Sequence, residues 1–156
     1  VWKFTKGQKE VTSGSNAAMG LSIPLAVGAA VAEPKSQIIA VTGDGSLELN
    51  IQELKTISHN EFNIKLFVIN NGGYVSMHNW ADSLFKGRRL DTAADTGDGT
   101  LNLKNIAKAF DLNHYLINDV NSIKKDLKKI LNDKKPLFVE VITDSRQKIF
   151  DAFKDY

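Results

Sequence analysis

Cysteine is absent from this chain of 156 residues, and proline occurs only three times. Without cysteine, the chain can form neither a disulfide bond nor a thiolate metal site. An excess of charge of one sign is also lacking, because 20 basic residues are offset by 18 acidic ones. This balance gives no reason to expect binding to nucleic acid or to an anionic membrane.

Long hydrophobic runs are lacking as well. The longest apolar stretch runs from Met19 to Ala32, is interrupted by Pro24, and is too short for a membrane-spanning helix. The chain does not open on the basic, apolar and small-residue pattern of a secretory signal. We therefore expect a soluble, cytoplasmic protein with no membrane partner.

The residues that are present are typical of a folded domain. Apolar residues make up 42% of the chain and charged residues 24%, which predicts one well-filled core. We find no internal repeat and no linker, so we expect a single domain over residues 1–156. The chain begins with Val1 rather than methionine. We expect it to be the C-terminal fragment of a longer multidomain protein, or else a separate subunit.

Buried strands and helices alternate along the sequence. Continuous apolar runs predict strands at 37–42, 65–69, 114–117 and 137–142, and helical spacing predicts helices ending near 33 and over 47–58, 103–110 and 122–131. Residues 71–100 have little periodicity and predict a long loop. The alternation predicts an α/β fold with a doubly wound, mostly parallel sheet and helices on both faces.

Two short polar strings follow the first two predicted strands. They are Gly43-Asp44-Gly45-Ser46 and Asn70-Asn71-Gly72-Gly73. In such sheets ligands bind outside the carboxyl ends of the strands. A carboxylate and an amide oxygen there suit Mg²⁺ or Ca²⁺, and glycines allow backbone N–H groups to approach phosphate oxygens closely. The pair of strings predicts a metal-diphosphate site.

Each string has a simpler interpretation when taken alone. A second Gly-Asp-Gly string, at 97–99, follows no predicted strand and is interpreted as a turn. Asn71-Gly72 is also a common hairpin turn, although no second alternating strand follows it. The first Gly-Asp-Gly string differs because a strand, a helix, another strand and the two asparagines follow in order.

These residues resemble the diphosphate-binding domain of enzymes that use thiamine diphosphate, specifically the acetolactate synthase and 2-oxo acid decarboxylase branch. The signature of that family is Gly-Asp-Gly, then a helix and a strand, then Asn-Asn. Here it extends from Gly43 through 51–56 to Asn71, and the upstream strings 12–14 and 18–20 also resemble the branch. The resemblance covers at least residues 12–143.

The resemblance implies a set of ligands for thiamine diphosphate and Mg²⁺. The metal would be held by the side chains of Asp44 and Asn71 and by the carbonyl of Gly73. Met19 would wedge between the two cofactor rings, and the Ala17 carbonyl would accept a hydrogen bond from the pyrimidine amino group. The other implied cofactor-binding residues are Gly43, Gly45, Ser46, Tyr74 and Val75.

The resemblance also implies that the site is incomplete in this chain. In the family a glutamate that touches the pyrimidine ring comes from a different domain, usually across a subunit interface. Glu48 and Glu53 follow the metal motif and cannot take that role, so we name no catalytic residue. The implied partners are an N-terminal pyrimidine-binding domain, further copies of the chain in a dimer or tetramer, and a small 2-oxo acid.

The implied activity is decarboxylation of a 2-oxo acid followed by carbon–carbon ligation. Two alternatives stay open: a non-oxidative decarboxylase of the same family, and a non-catalytic α/β module that binds phosphate or a nucleotide. For His78 we keep both a loop position and an approach to substrate, whereas His59 and His114 are interpreted as surface or loop residues. Trp80, Phe85 and the pair 88–89 are interpreted as interface or solvent residues rather than substrate contacts.

Overall fold

The sheet of this protein has four parallel strands. A computed structural model describes residues 3–92, 97 and 99–146. The strands lie in the spatial order β1-β2-β4-β3, and every neighbouring pair is parallel. Their bounds are β1 (Ile38–Gly43), β2 (Ile64–Asn70), β3 (Asn113–Ile117) and β4 (Leu137–Ile142). All four predicted strands are confirmed to within about a residue at each end.

Six α-helices accompany the sheet in the described residues, after one short 3₁₀ turn at Gly14–Asn16. They are α1 (Ser22–Ala32), α2 (Asp44–Glu48), α3 (Glu53–His59), α4 (Val75–Leu84), α5 (Leu103–Ala109) and α6 (Ile123–Asn132). The side chain of Asn102 caps α5 by accepting a hydrogen bond from the Asn105 backbone N–H at 2.9 Å. None of these helices is long and apolar enough to cross a membrane.

Two predicted elements differ from the structure. The helix predicted over 47–58 is two helices, and the first begins at Asp44 itself. The loop predicted over 71–100 contains α4, a helix of ten residues. This helix buries His78 and Ala81 and exposes Met77 and Trp80, so its apolar residues do not mark its buried face. Periodicity of apolar residues could not reveal it.

Helices cover both faces of the sheet, but unequally. On one face, residues of α1, α3 and α5 pack against Leu66, Val68 and Phe138 in the larger core cluster. On the other face, Ile130 of α6 packs against strand residues such as Val139. The predicted doubly wound architecture is confirmed. Ile39 and Val41 of β1 point to the α6 side and stay exposed in the described part of the chain.

Lys65 lies fully buried at the amino end of β2, at the edge of the sheet opposite the one where the two polar strings lie. Its ammonium group donates to Oδ1 of Asn63 at 2.7 Å and to the backbone carbonyl of Lys135. Burial lowers the pKa of Lys65, with Asp133 opposing that shift and Lys134 adding to it. The folded chain therefore releases this proton at a lower pH than the unfolded chain does.

This difference predicts a pH-dependent stability. Between the lowered pKa and about 10.4, the ordinary lysine value, the unfolded chain carries a proton that the folded chain lacks. Stability of the native chain should therefore rise with pH across that window relative to Lys65→Met, which does not titrate there. Unfolding in urea at several alkaline pH values measures this difference. Lys128→Met, which removes an exposed lysine of α6, serves as the control, and a pH-independent difference for Lys65→Met would contradict the prediction.

Candidate metal and cofactor site

Asp44 joins the two polar strings at the carboxyl ends of β1 and β2. It is the first residue of α2 and is buried. Its Oδ2 atom accepts hydrogen bonds from the backbone N–H groups of Gly72 at 2.9 Å and Gly73 at 3.0 Å. Its Oδ1 atom accepts one from the N–H of Gly45 at 3.0 Å. One carboxylate thus fixes the position of the second string relative to the first.

Asn71 brings its side-chain amide to the same place. The end of its side-chain amide lies 2.7 Å from the carbonyl oxygen of Gly73 and 3.2 Å from Oδ1 of Asp44. With its nitrogen turned inward, the amide donates to both oxygens. With its oxygen turned inward, three acceptor oxygens converge, an arrangement that a bound cation would stabilise.

The spacing of these atoms fits a small divalent cation. Adjacent ligands of an octahedral site with bonds of about 2.1 Å stand about 3.0 Å apart, and the two separations at Asn71 fall on either side of that value. The described residues contain no group of three or more histidine, aspartate or glutamate side chains that could hold a metal. A cation at this point would depend on one carboxylate, one amide and one carbonyl, a hard set that favours Mg²⁺ or Ca²⁺ over zinc.

An open cleft of about 460 Å³ lies above these atoms. Every predicted metal- or cofactor-binding residue lines it except Ala17. The predicted residues along it are Met19, Gly43, Asp44, Gly45, Ser46, Asn71, Gly73, Tyr74 and Val75. Four further residues line the cleft and were not predicted, namely Ile69, Ser76, Thr143 and Asp144. Thr143 and Asp144 could have been found, because they follow the carboxyl end of β4 next to β2.

Tyr74 packs directly over Gly45. A Cβ atom at position 45 would stand 2.5 Å from Cε1 and 2.8 Å from Cζ of the Tyr74 ring. The Tyr74 hydroxyl also lies 3.4 Å from the Gly45 carbonyl oxygen, to which it donates. Position 45 therefore accepts only glycine while the ring keeps this position, and the contact shapes one wall of the cleft.

The segment that carries Met19 is fixed at Gly20 to the residues that directly follow α2. A Cβ atom on Gly20 would lie 2.7 Å from Cβ of Leu49, and φ is +77°. The Asn50 side chain donates to the Gly20 carbonyl at 3.1 Å. Met19 faces the cleft with 45% of its surface exposed. Ala17 lies further out on the same segment, in the left-handed region with φ of 43°.

The histidines differ from their predicted positions in two cases. His78 is buried and does not line the cleft, because its Nε2 atom makes a 3.0 Å hydrogen bond with the carbonyl of Thr92. His114 is not a surface residue; it lies largely buried against Glu140. His59 is exposed as expected. Both misjudged histidines have partners distant in sequence, which no local pattern reveals.

The aromatic and basic residues of the predicted loop lie outside the cleft. Trp80 and Phe85 are exposed, and Arg89 donates to both carboxylate oxygens of Asp82. At the other rim, Arg146 hydrogen-bonds Asp144 and holds the pKa of that carboxyl below its ordinary value. The negative charge that Asp144 adds to the cleft is thus partly offset by its neighbour.

Comparisons with known proteins identify the family of this chain. Residues 1–141 match the family described as "Thiamine pyrophosphate enzyme, C-terminal TPP binding domain". Acetolactate synthase isozyme 1 large subunit of Escherichia coli (strain K12) is 34% identical over 96% of this chain and 26% of its own length. Acetolactate synthase large subunit of Lactococcus lactis subsp. lactis (strain IL1403) is 27% identical over 95% of this chain and 25% of its own.

A solved structure shows the same fold. Thiamine diphosphate-dependent 4-hydroxybenzoylformate decarboxylase of Rhodococcus jostii RHA1 superposes with a TM-score of 0.71 over 81% of this chain and 23% of its own, at 23% sequence identity. The chain spans about a quarter of the length of the curated relatives named above. The family match covers nearly all of the chain and includes both polar strings. The chain therefore belongs to the thiamine pyrophosphate enzymes, as their C-terminal, cofactor-binding domain.

Proposed function

We propose that this chain binds Mg²⁺ and the diphosphate of thiamine diphosphate within an acetolactate synthase-like enzyme. The complete enzyme would decarboxylate a 2-oxo acid and ligate the product to an acceptor. Identity of 34% to a protein described as an acetolactate synthase large subunit supports this activity. The family match favours it over a phosphate- or nucleotide-binding module without chemistry of its own. The cytoplasmic location stays a prediction.

The observation that carries the proposal is the convergence of oxygens at the ends of β1 and β2. Asp44 and Asn71 would supply side-chain oxygens to Mg²⁺, and Gly73 would supply its carbonyl. Because backbone N–H groups already hold the Asp44 carboxylate in place, little reorganisation is needed when a cation binds. Phosphate oxygens and water would complete the octahedron that Mg²⁺ prefers.

The remaining cleft residues would hold the cofactor itself. Gly43 ends β1 and is followed by Gly45 and Ser46, and these three residues would face the diphosphate. Tyr74 and Val75 line the cleft beside them. Met19 projects from the segment fixed at Gly20 and would contact the cofactor rings, with the Ala17 carbonyl as the acceptor for the pyrimidine amino group. When bound, thiamine diphosphate supplies the carbanion chemistry that 2-oxo acid decarboxylation needs.

We propose that a second domain completes the site. No residue of the cleft is assigned a catalytic role, and neither Glu48 nor Glu53 lines it. An N-terminal pyrimidine-binding domain, supplied within a homodimer or homotetramer, would close the open side of the cleft. This chain covers only about a quarter of the length of the two acetolactate synthase relatives, which is consistent with such a domain.

Calorimetric titration with thiamine diphosphate tests the proposal. The complete polypeptide and this chain are titrated in parallel, with and without Mg²⁺. We expect Mg²⁺-dependent binding by the complete polypeptide and much weaker binding by this chain. Absence of binding by the complete polypeptide in the presence of Mg²⁺ would contradict the proposal.

The reaction catalysed needs a separate test, because a simple decarboxylase of the same family would bind the same cofactor. With pyruvate as the probe, a ligating enzyme forms acetolactate and a simple decarboxylase releases acetaldehyde. We expect acetolactate as the main product. Acetaldehyde alone would assign the complete enzyme to the decarboxylases.

A further inference from the structure

A chain of three polar side chains crosses the sheet next to the candidate metal site. Asn70 of β2 donates from Nδ2 to Oε1 of Glu140 on β4 at 2.7 Å. The other oxygen of Glu140, Oε2, lies 2.7 Å from Nε2 of His114 on β3. Both carboxylate oxygens are therefore occupied, and three strands are linked through side chains.

The strand register places this chain on one face of the sheet. Val68 pairs with Glu140, and His114 pairs with Phe138. Because side chains alternate along a strand, Asn70 shares the face of Val68, and Glu140 shares the face of Phe138. Both Val68 and Phe138 belong to the larger core cluster. The polar chain thus lies at the edge of that core, where the strands end.

A gain in folding stability alone does not explain why these polar side chains are buried. The side chains of His114 and Glu140 are only 15% and 12% exposed. Removing ionisable groups from water costs free energy that hydrogen bonds largely offset, so well-packed apolar residues are often at least as stabilising. A role in fixing position therefore explains the network better than a role in stability.

Asn70 is held on two sides immediately before the candidate metal ligand Asn71. Its side chain is bound to Glu140, and its carbonyl accepts a hydrogen bond from the Thr143 backbone N–H at 3.0 Å. These two contacts restrict rotation about the backbone bonds that lead into Asn71. The amide of Asn71, on the next residue, lies beside the carbonyl of Gly73 and the carboxylate of Asp44.

We propose that Glu140 is a positioning residue for the metal site, which acts on Asn71 through Asn70. Glu140 does not line the cleft, and its effect would pass through the hydrogen bond to Asn70. The proposal rests on the proposed role of Asn71 as a ligand of Mg²⁺. Partners hydrogen-bonded directly to a metal ligand commonly change metal affinity about 10- to 100-fold when they are removed. Glu140 is one residue further from the ligand, so we expect an effect near the lower end of that range.

A double-mutant cycle on the complete enzyme tests the proposal. Mg²⁺ is titrated at a fixed concentration of thiamine diphosphate, and its dissociation constant is measured by calorimetry. We expect Glu140→Ala and Asn70→Ala each to weaken Mg²⁺ binding about 10-fold or more. The double variant should bind Mg²⁺ no more weakly than the single variant with the lower Mg²⁺ affinity, because both changes break the same contact.

Conservative and matched variants separate positioning from general loosening of the fold. Glu140→Gln keeps an acceptor for Asn70 and should bind Mg²⁺ with nearly native affinity. Asp126→Ala removes a comparable carboxylate of α6, which accepts hydrogen bonds from Tyr115 and Ser122. It should lower the free energy of unfolding without changing Mg²⁺ affinity.

The outcomes distinguish this proposal from the proposed function. Asp44→Ala is measured in the same titration, and native Mg²⁺ binding by that variant would overturn the proposed function itself. If Asp44→Ala loses binding while Asn70→Ala keeps the native affinity, the positioning proposal alone is overturned. Additive losses in the cycle would overturn it too. Should Glu140→Ala fail to fold, the comparison of Asn70→Ala with the native enzyme still decides the question.

Discussion

Replacing Asp44 by alanine is expected to weaken Mg²⁺-dependent binding of thiamine diphosphate by more than about 100-fold, since loss of a direct ligand should exceed the 10- to 100-fold typical of outer partners. The carboxylate is the one charged group among the three converging oxygens. Without it, the amide of Asn71 and the carbonyl of Gly73 supply only neutral ligands. Calorimetry on the complete enzyme measures the loss.

The same substitution should also lower stability in the absence of metal. Three backbone N–H groups, of Gly45, Gly72 and Gly73, donate to the carboxylate. Leaving buried donors unpaired costs roughly 1–3 kcal/mol for each group that water cannot reach. Unfolding in urea therefore accompanies the binding measurement, so that loss of affinity is not confused with loss of fold.

Two further variants calibrate the Asp44 result. Asp44→Asn keeps the shape and one oxygen, so its loss of affinity should be smaller than that of Asp44→Ala. Glu10→Ala removes an exposed carboxylate outside the cleft and should change neither binding nor stability. Native affinity in a folded Asp44→Ala protein would show that the carboxylate is not a metal ligand.

Replacing Gly45 by alanine is expected to disrupt the cleft. The added methyl group would stand 2.5 Å from the Tyr74 ring, so the ring must leave its position. Overpacking of this kind costs about 1–3 kcal/mol. Because both residues line the cleft, cofactor binding would have to return the displaced Tyr74 ring to its place against this strain. Each 1.4 kcal/mol that this return costs lowers the cofactor affinity about 10-fold. Calorimetry and urea unfolding measure the two effects separately.

A glycine elsewhere in the chain provides a matched control. Gly28 lies exposed within α1, and a Cβ atom there would meet no other atom within 4 Å. Gly28→Ala should stabilise the helix by about 0.5–1 kcal/mol and leave cofactor binding unchanged. Combining Gly45→Ala with Tyr74→Leu should recover part of the lost stability. No recovery would mean that the ring is not the source of the strain.

The strands could be predicted from sequence because burial on both faces requires nearly continuous apolar runs. Residues 66–68 and 137–139 illustrate this pattern. Strand β1 has the same apolar run, although Ile39 and Val41 leave one of its faces exposed in the described part of the chain. Helix α4 could not be predicted, because its exposed side carries Met77 and Trp80 while its buried side carries a histidine. The burial of Lys65 was also invisible, since the acceptors of its ammonium group are set by the fold and lysine is rarely buried.

Most residues of the candidate site could be predicted from the sequence, whereas the contacts around them could not. Glycine, aspartate and asparagine follow two neighbouring parallel strands, so their meeting at one edge of the sheet follows from topology. The contacts that support them do not follow in this way. Glu140 and Asn70 are 70 positions apart, and His78 binds a carbonyl 14 positions away. The pair of Glu140 and Asn70 becomes visible only when strand order and register are known, and the contact of His78 only when helix α4 is placed against the loop that follows it.

The contact at Gly20 bears on where this domain can change length. The hydrogen bond from Asn50 to Gly20 closes a ring of chain that contains α1, β1 and α2. Insertions in the exposed turn at 33–36 would enlarge the ring at the end remote from the cleft, at a cost that grows only slowly with length. Insertions next to Gly20 or Leu49 would instead separate Met19 from Asp44. We therefore expect natural and engineered changes in length to be tolerated at 33–36 and to disrupt the site next to Gly20 or Leu49.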